Sequence, residues 1–165
     1  MTTQEQDNRF PINRELFERI NFARRFEALS RQHPIRPDLD RLMILDFDLT
    51  KEILESFGYK IRYFRSERFF RAEEKRGGYT FGFNIALDYG RAELITSVYC
   101  GKKLVREVSD VWMGLYELLM NVPWEQVPRY PFFGDYDELE AVLRESFSLW
   151  EDFKREFLAE YPKPM

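Results

Sequence analysis

At Tyr59 the apolar positions of this chain change from a spacing of three and four to a spacing of two, dividing it into helical ends and a sheet-forming middle. Tyr59, Ile61 and Tyr63 alternate with Lys60 and Arg62, and Arg68 to Glu73 continues as extended chain up to a Gly77-Gly78 turn. Tyr79, Phe81, Phe83, Ile85 and Leu87 then alternate with Thr80, Gly82, Asn84 and Ala86, the clearest strand signal in the sequence. Asp88-Tyr89-Gly90-Arg91 reads as a hairpin turn, and Ala92 to Cys100 as a central strand with apolar residues on both faces. About four antiparallel strands are expected over roughly 59–100.

On either side the helical period holds. Leu16, Ile20, Ala23 and Phe26 approximate one stripe, predicting a helix from Asn13 to about Ser30 that Pro34 closes. Pro34-Ile35-Arg36-Pro37-Asp38 is a connector, because two nearby prolines disfavour both helix and interior strand. The run Leu42 to Leu45 follows, then a helix from Thr50 that Gly58 terminates. Ser109 or Asp110 is expected to cap a buried helix, Val111 to Met120, and a proline-broken loop spans Val122 to Gly134. Asp135, with Glu138 three residues on, opens a last helix that Pro162 ends. Along it Leu139, Val142, Ser146, Trp150, Phe153 and Phe157 point inward, while Glu140, Arg144, Glu145, Glu151, Asp152, Lys154 and Arg155 point outward. The expected fold class is α+β in the order ααββββαα, with helices on one face of an antiparallel sheet. One domain is expected over 1–165, its first twelve residues a flexible tail.

Composition narrows the function. With 44% hydrophobic residues and 16 Phe, 9 Tyr and 3 Trp, the chain is too apolar and aromatic for disorder. Cys100 is its one cysteine, which excludes an intrachain disulfide and a cysteine-based zinc site and suits the cytoplasm. The first residues carry no basic and apolar leader, and no apolar run approaches the ~20 residues of a membrane span. The formal charge is −4, and residues 135–165 hold 9 acidic against 4 basic side chains. That segment repels nucleic acid and favours a basic protein, so neither a nucleic-acid nor a membrane partner is expected. The cationic alternation from Lys60 to Arg71 reads as the outward face of an edge strand rather than an RNA platform.

Candidate chemistry is concentrated in Leu42-Met43-Ile44-Leu45-Asp46-Phe47-Asp48-Leu49-Thr50. This stretch resembles motif I of the haloacid-dehalogenase-like phosphatases, in which an apolar strand ends in Asp-x-Asp-x-Thr. The resemblance implies Asp46 as nucleophile, Asp48 as general acid and base, and a magnesium ion held by both. Such a pair splits phosphoryl transfer into two steps. The fold that carries the motif needs parallel strands alternating with helices, whereas a meander follows here; the competing reading makes the aspartates caps of the next helix. His33 and Cys100 have no relay partner nearby in sequence.

The loop Pro123 to Gly134 offers the best binding surface, because its prolines limit its entropy and Trp124, Arg129, Tyr130, Phe132 and Phe133 are residue types of interface hot spots. It runs into the acidic start of the last helix, Asp135, Tyr136, Asp137, Glu138 and Glu140. The preferred function is therefore a non-enzymatic, cytoplasmic protein that binds a basic or toxin-like protein through these residues, similar in profile to small acidic immunity proteins. The alternatives are a magnesium-dependent phosphatase using Asp46 and Asp48, and a ligand-binding domain with an aromatic pocket.

Overall fold

Alternation in the middle of the chain is realised as an antiparallel sheet in the computed structural model, which describes residues 11–162. Its strands are β1 (Ile61–Phe64), β2 (Phe69–Arg76), β3 (Tyr79–Ala86), β4 (Glu93–Cys100), β5 (Lys103–Leu104) and β6 (Asp110–Val111). The first four form a meander, and both short strands pair with the far edge of β4. Six strands replace the expected four because β5 and β6 are two residues each, too short for any period to register. Phe83 of β3 lies opposite Ala72 on one side and Thr96 on the other. This register puts Tyr79, Phe81, Phe83 and Ile85 on one buried face with Phe70, Ala72, Leu94 and Val98. On the opposite, half-exposed face the Arg71 guanidinium lies across Gly82, where a Cβ would collide with it, and donates to Asn84 Oδ1 at 2.9 Å.

Among the described residues five helices cover the buried face: α1 (Arg14–Arg19), α2 (Phe22–Gln32), α3 (Phe47–Glu55), α4 (Trp112–Met120) and α5 (Tyr136–Glu160). The N-terminal helix expected as one piece is two, because Asn21 adopts a left-handed conformation at φ 57°, which asparagine tolerates better than most residues. The expected tail falls in its first ten residues outside the described residues, but Ile12 packs on the core and the Asn13 N–H donates to Glu107 O. Val111 occupies the cap position of α4, and Asp110 instead uses its carboxylate on the Val111 N–H. Aromatic rings fill the centre: Phe83 stacks on Trp112 at 5.3 Å and tilts against Trp150 at 5.4 Å, and Phe22 meets Trp112 edge-on. Trp112 Nε1 donates to Thr96 Oγ1, satisfying the hydroxyl that β4 turns inward.

Helix α5 departs from expectation at one position. Lys154, expected outward, is fully buried, because it sits four residues after Trp150 on the stripe that faces the sheet. Its ammonium donates to Glu74 Oε2 of β2 at 2.5 Å and Glu151 Oε1 at 2.6 Å, and lies 3.7 Å from the Trp150 ring centre. Tyr59 also donates to Glu151, and burial with that bond raises the tyrosine pKa. Burial would raise the Glu151 carboxyl, but hydrogen bonds from Lys154 and Tyr59 prevail and hold it below its ordinary value.

Both carboxylates reach water, at 32% and 43% side-chain exposure, so they stay hydrated when the ammonium is removed. Lys154→Met is therefore expected to lie within about 1.5 kcal/mol of the parent chain, because an unbranched stem fills the same space. Lys154→Ala, which opens a cavity against Trp150, is expected to lose about 2–5 kcal/mol in urea denaturation.

Candidate functional site

Residues 34 to 46, between α2 and α3, form a strap with only a three-residue 3₁₀ turn, Asp38–Asp40, along it. Pro34 and Pro37 keep the chain out of a helix, so its backbone groups must be satisfied from elsewhere. The supplier is the segment Pro131–Phe133. On one side the Phe132 N–H donates to His33 O and Phe133 O accepts the Leu42 N–H; on the other, the Phe133 N–H donates to Gly90 O and Pro131 O accepts the Ala92 N–H. Gly90 and Gly134 permit this approach: a Cβ at Gly90 would stand 2.6 Å from Arg41 Cβ, and one at Gly134 2.7 Å from Asp40 O.

Side chains then lock the strap onto α5. Arg36 reaches Glu138 with two bonds of 2.7 and 2.8 Å, His33 Nδ1 lies 2.9 Å from the same carboxylate, and the Gly134 N–H donates to it at 2.8 Å. Burial would raise the Glu138 pKa, but bonds from Arg36, His33 and Gly134 overcome it and hold the carboxyl at about 2. Arg41 donates to Arg36 O and covers the Phe132 ring at 4.6 Å. The Tyr136 hydroxyl accepts the Asp46 N–H at 2.8 Å, fixing the strap's far end.

What the strap displays is apolar. Leu39 is 99% exposed, Ile44 87% and Ile35 57%, and Met43, Phe47 and Leu49 are exposed beside them. Met43, Ile44, Leu45 and Phe47 also border a groove of about 270 Å³ whose other wall is Tyr63, Phe70 and Leu87 at the sheet's end. The run Leu42 to Leu45, read as an apolar strand leading to Asp46, is thus a strap segment that exposes Met43 and Ile44 and packs Leu42 and Leu45 on the core. Asp46 is the N-cap of α3: its Oδ1 accepts the Leu49 N–H at 3.1 Å, while Thr50 Oγ1 donates to Asp46 O. The strand and parallel sheet that carry the phosphatase motif do not occur around these residues, and Asp48 stands exposed in the first turn of α3. Among the described residues no group of three or more His, Cys, Asp or Glu is placed to hold a metal ion.

The expected binding loop divides. Trp124, Arg129, Asp135 and Asp137 are exposed. Phe132 and Phe133 are buried, because the segment they occupy is the one that holds the strap. Tyr130 is half-buried, with Arg91 5.7 Å from its ring centre, and Glu140 pairs along the helix with Arg144. Asp135 caps α5 by accepting the Glu138 N–H. Glu138, expected to face a partner, is turned to Arg36 and His33. A larger concavity of about 390 Å³ runs along α4 beside Asp110, whose pKa burial raises. Its serine, Ser109, is committed to the backbone, donating to Val105 O and accepting the Val98 N–H.

Because Glu138 titrates lower when folded than unfolded, its contribution is complete above its ordinary value of 4.5 and disappears as pH falls towards 2. Glu138→Gln is therefore expected to lose up to about 3 kcal/mol at pH 7, a deficit that shrinks to nothing between about pH 4.5 and 2 in urea titrations of both chains. On the loop, Phe133→Ala is expected to lose about 3–5 kcal/mol, whereas Trp124→Ala changes stability by less than about 0.5 kcal/mol.

No family model, curated protein or solved structure matches the chain.

Proposed function

We propose that this chain works by binding another protein rather than by catalysis, as an inhibitor of the immunity-protein kind that neutralises a cognate toxin by direct contact in the cytoplasm. The observation that supports this reading is the strap with the first turn of α3: Ile35, Leu39, Met43 and Ile44 stand exposed on backbone tied to two neighbouring segments, and Phe47 and Leu49 are partly exposed at the start of the helix. Exposed apolar residues on hydrogen-bonded backbone are what an interface core requires, and leaving them in water is unfavourable unless a partner covers them. The exposed ends of the loop and of α5, Trp124, Arg129, Asp135 and Asp137, extend the polar surface available to such a partner. The lone half-buried Cys100 fits a reducing compartment.

The test is capture of partners from lysate of the native host with three tagged chains: the parent, Leu39→Ser with Ile44→Ser, and Lys75→Ser on β2 as a distant control. A stoichiometric partner is expected with the parent and the control and at least tenfold less with the strap variant, about 1.4 kcal/mol or more in affinity. Equal capture by the strap variant, or no partner on any chain, would remove the strap as the functional surface. The immunity reading requires in addition that the captured protein lose its activity when the parent chain is added.

A further inference from the structure

We infer that the strap's partner presents a basic amphipathic surface, an apolar centre ringed by lysine or arginine. This rests on the protein-binding reading above and names the chemistry of the occupant. Twelve of the sixteen residues from 34 to 49 are exposed, and not one of them is basic. Besides the apolar six and two prolines, they are Asp38, Asp40, Asp46 and Asp48. The strap does contain two arginines, but both are largely covered: Arg36 turns to Glu138, and Arg41 to the Arg36 carbonyl and the Phe132 ring, with Asp38 3.6 Å from its guanidinium. The sequence of 34–49 is mixed in charge, whereas its exposed residues carry only acids.

The acid edge continues onto α5. The bond from the Asp46 N–H to the Tyr136 hydroxyl brings the start of that helix against the strap, and its exposed Asp135 and Asp137 flank the tyrosine. The cation that lines the groove, Arg68, pairs with Asp88 at 3.0 Å, and Arg91 lies over the rings of Tyr89 and Tyr130. Aspartates around an apolar centre favour a cationic rim on the partner: covering the centre excludes water and strengthens attraction at the edge, while an acidic partner is repelled. The same charges oppose the competing occupants. Two straps face to face would set aspartates against aspartates, and an anionic lipid surface would meet carboxylates of its own sign.

The test uses two synthetic helical peptides with leucines at the same i, i+3, i+4, i+7 positions, one with lysine and one with glutamate elsewhere, titrated into the ¹⁵N-labelled full chain. The lysine peptide is expected to shift amides of residues 35–49 and 135–137, to bind at least roughly tenfold tighter than the glutamate peptide, and to weaken about tenfold between 50 and 300 mM salt. Asp38→Asn with Asp40→Asn, Asp48→Asn and Asp137→Asn is expected to bind it roughly tenfold more weakly while keeping the parent's dispersed amide spectrum. Leu39→Ser with Ile44→Ser is expected to lose it as well.

Equal binding of both peptides, shifts confined to another face, or indifference to the four neutralised aspartates would overturn the inference. So would strap-dependent dimerisation in sedimentation, or strap-dependent binding to phosphatidylglycerol vesicles. A host partner lost on Leu39→Ser with Ile44→Ser but insensitive to salt and to the four asparagines would overturn the basic-partner inference and leave protein binding standing. A host capture with no strap-dependent partner would overturn the functional reading itself.

Discussion

A stretch of chain with two prolines and no period of its own keeps one shape only when other segments complete its hydrogen bonds, and here Pro131–Phe133 does so from between the strap and the turn at Gly90. That three-residue segment acts as a central strand without being long enough to be one: it bonds to residues 33 and 42 on one side and 90 and 92 on the other. Glu138 completes the arrangement by gathering Arg36, His33 and the Gly134 N–H on a single carboxylate. A neutral side chain cannot accept from all of these in charge-assisted form, so the strap's attachment depends on that carboxylate being ionised.

The rest of the fold follows from a sheet that is covered on one side. Phe83 is the centre of that side, in contact with Trp112 of α4 and with Phe147 and Trp150 of α5. The long helix brings one cation into this layer. Lys154 lies over the Trp150 ring and draws Glu74 of β2 and Glu151 of its own helix together, linking helix and sheet by charge at the end of an otherwise apolar contact. Trp150 Nε1 has no hydrogen-bond partner among the described residues, and its ring contacts outweigh that unmet donor.

Periodic elements were legible in the sequence and contacts between distant segments were not. The alternation from Tyr79 to Leu87 and the stripe from Leu139 to Phe157 are local patterns, and both are realised as a strand and a helix. The break at Asn21 was hidden because Leu16, Ile20 and Phe26 of the expected stripe still face one core, while Phe22 takes the inward place expected for Ala23. Lys154 was misplaced because its charge outweighed its position, although its spacing from Phe147 and Trp150 already assigned it to the inner stripe. The strap was the largest miss. Leu42 to Leu45 is as apolar as a buried strand, and contacts far away in sequence, the Phe133 carbonyl and the close approach allowed by Gly90 and Gly134, hold the backbone where Met43 and Ile44 face water. The signal available locally was the pair of prolines and the aspartates spaced among the apolar residues, a pattern that fits neither period.

The close backbone approach at those glycines also explains why the exposed residues do not fold inward. With Arg41 and Leu42 against Gly90, and Asp40 against Gly134, the backbone of the strap lies directly on the segment beneath it at these two points. The inward positions are taken by Leu42 and Leu45, which pack on the core, and by Arg36 and Arg41, whose guanidiniums find a carboxylate, a carbonyl and an aromatic face, leaving the aspartates and the other apolar residues outside. Attachment and display are therefore one arrangement, since the cations that fasten the strap are the cations removed from its surface. A partner meeting this surface finds its apolar centre already ordered, which reduces the conformational entropy lost on binding. Glu138 belongs to binding in that indirect sense: it is turned away from the exposed residues and holds them in place, so its charge acts on a partner through the shape of the strap.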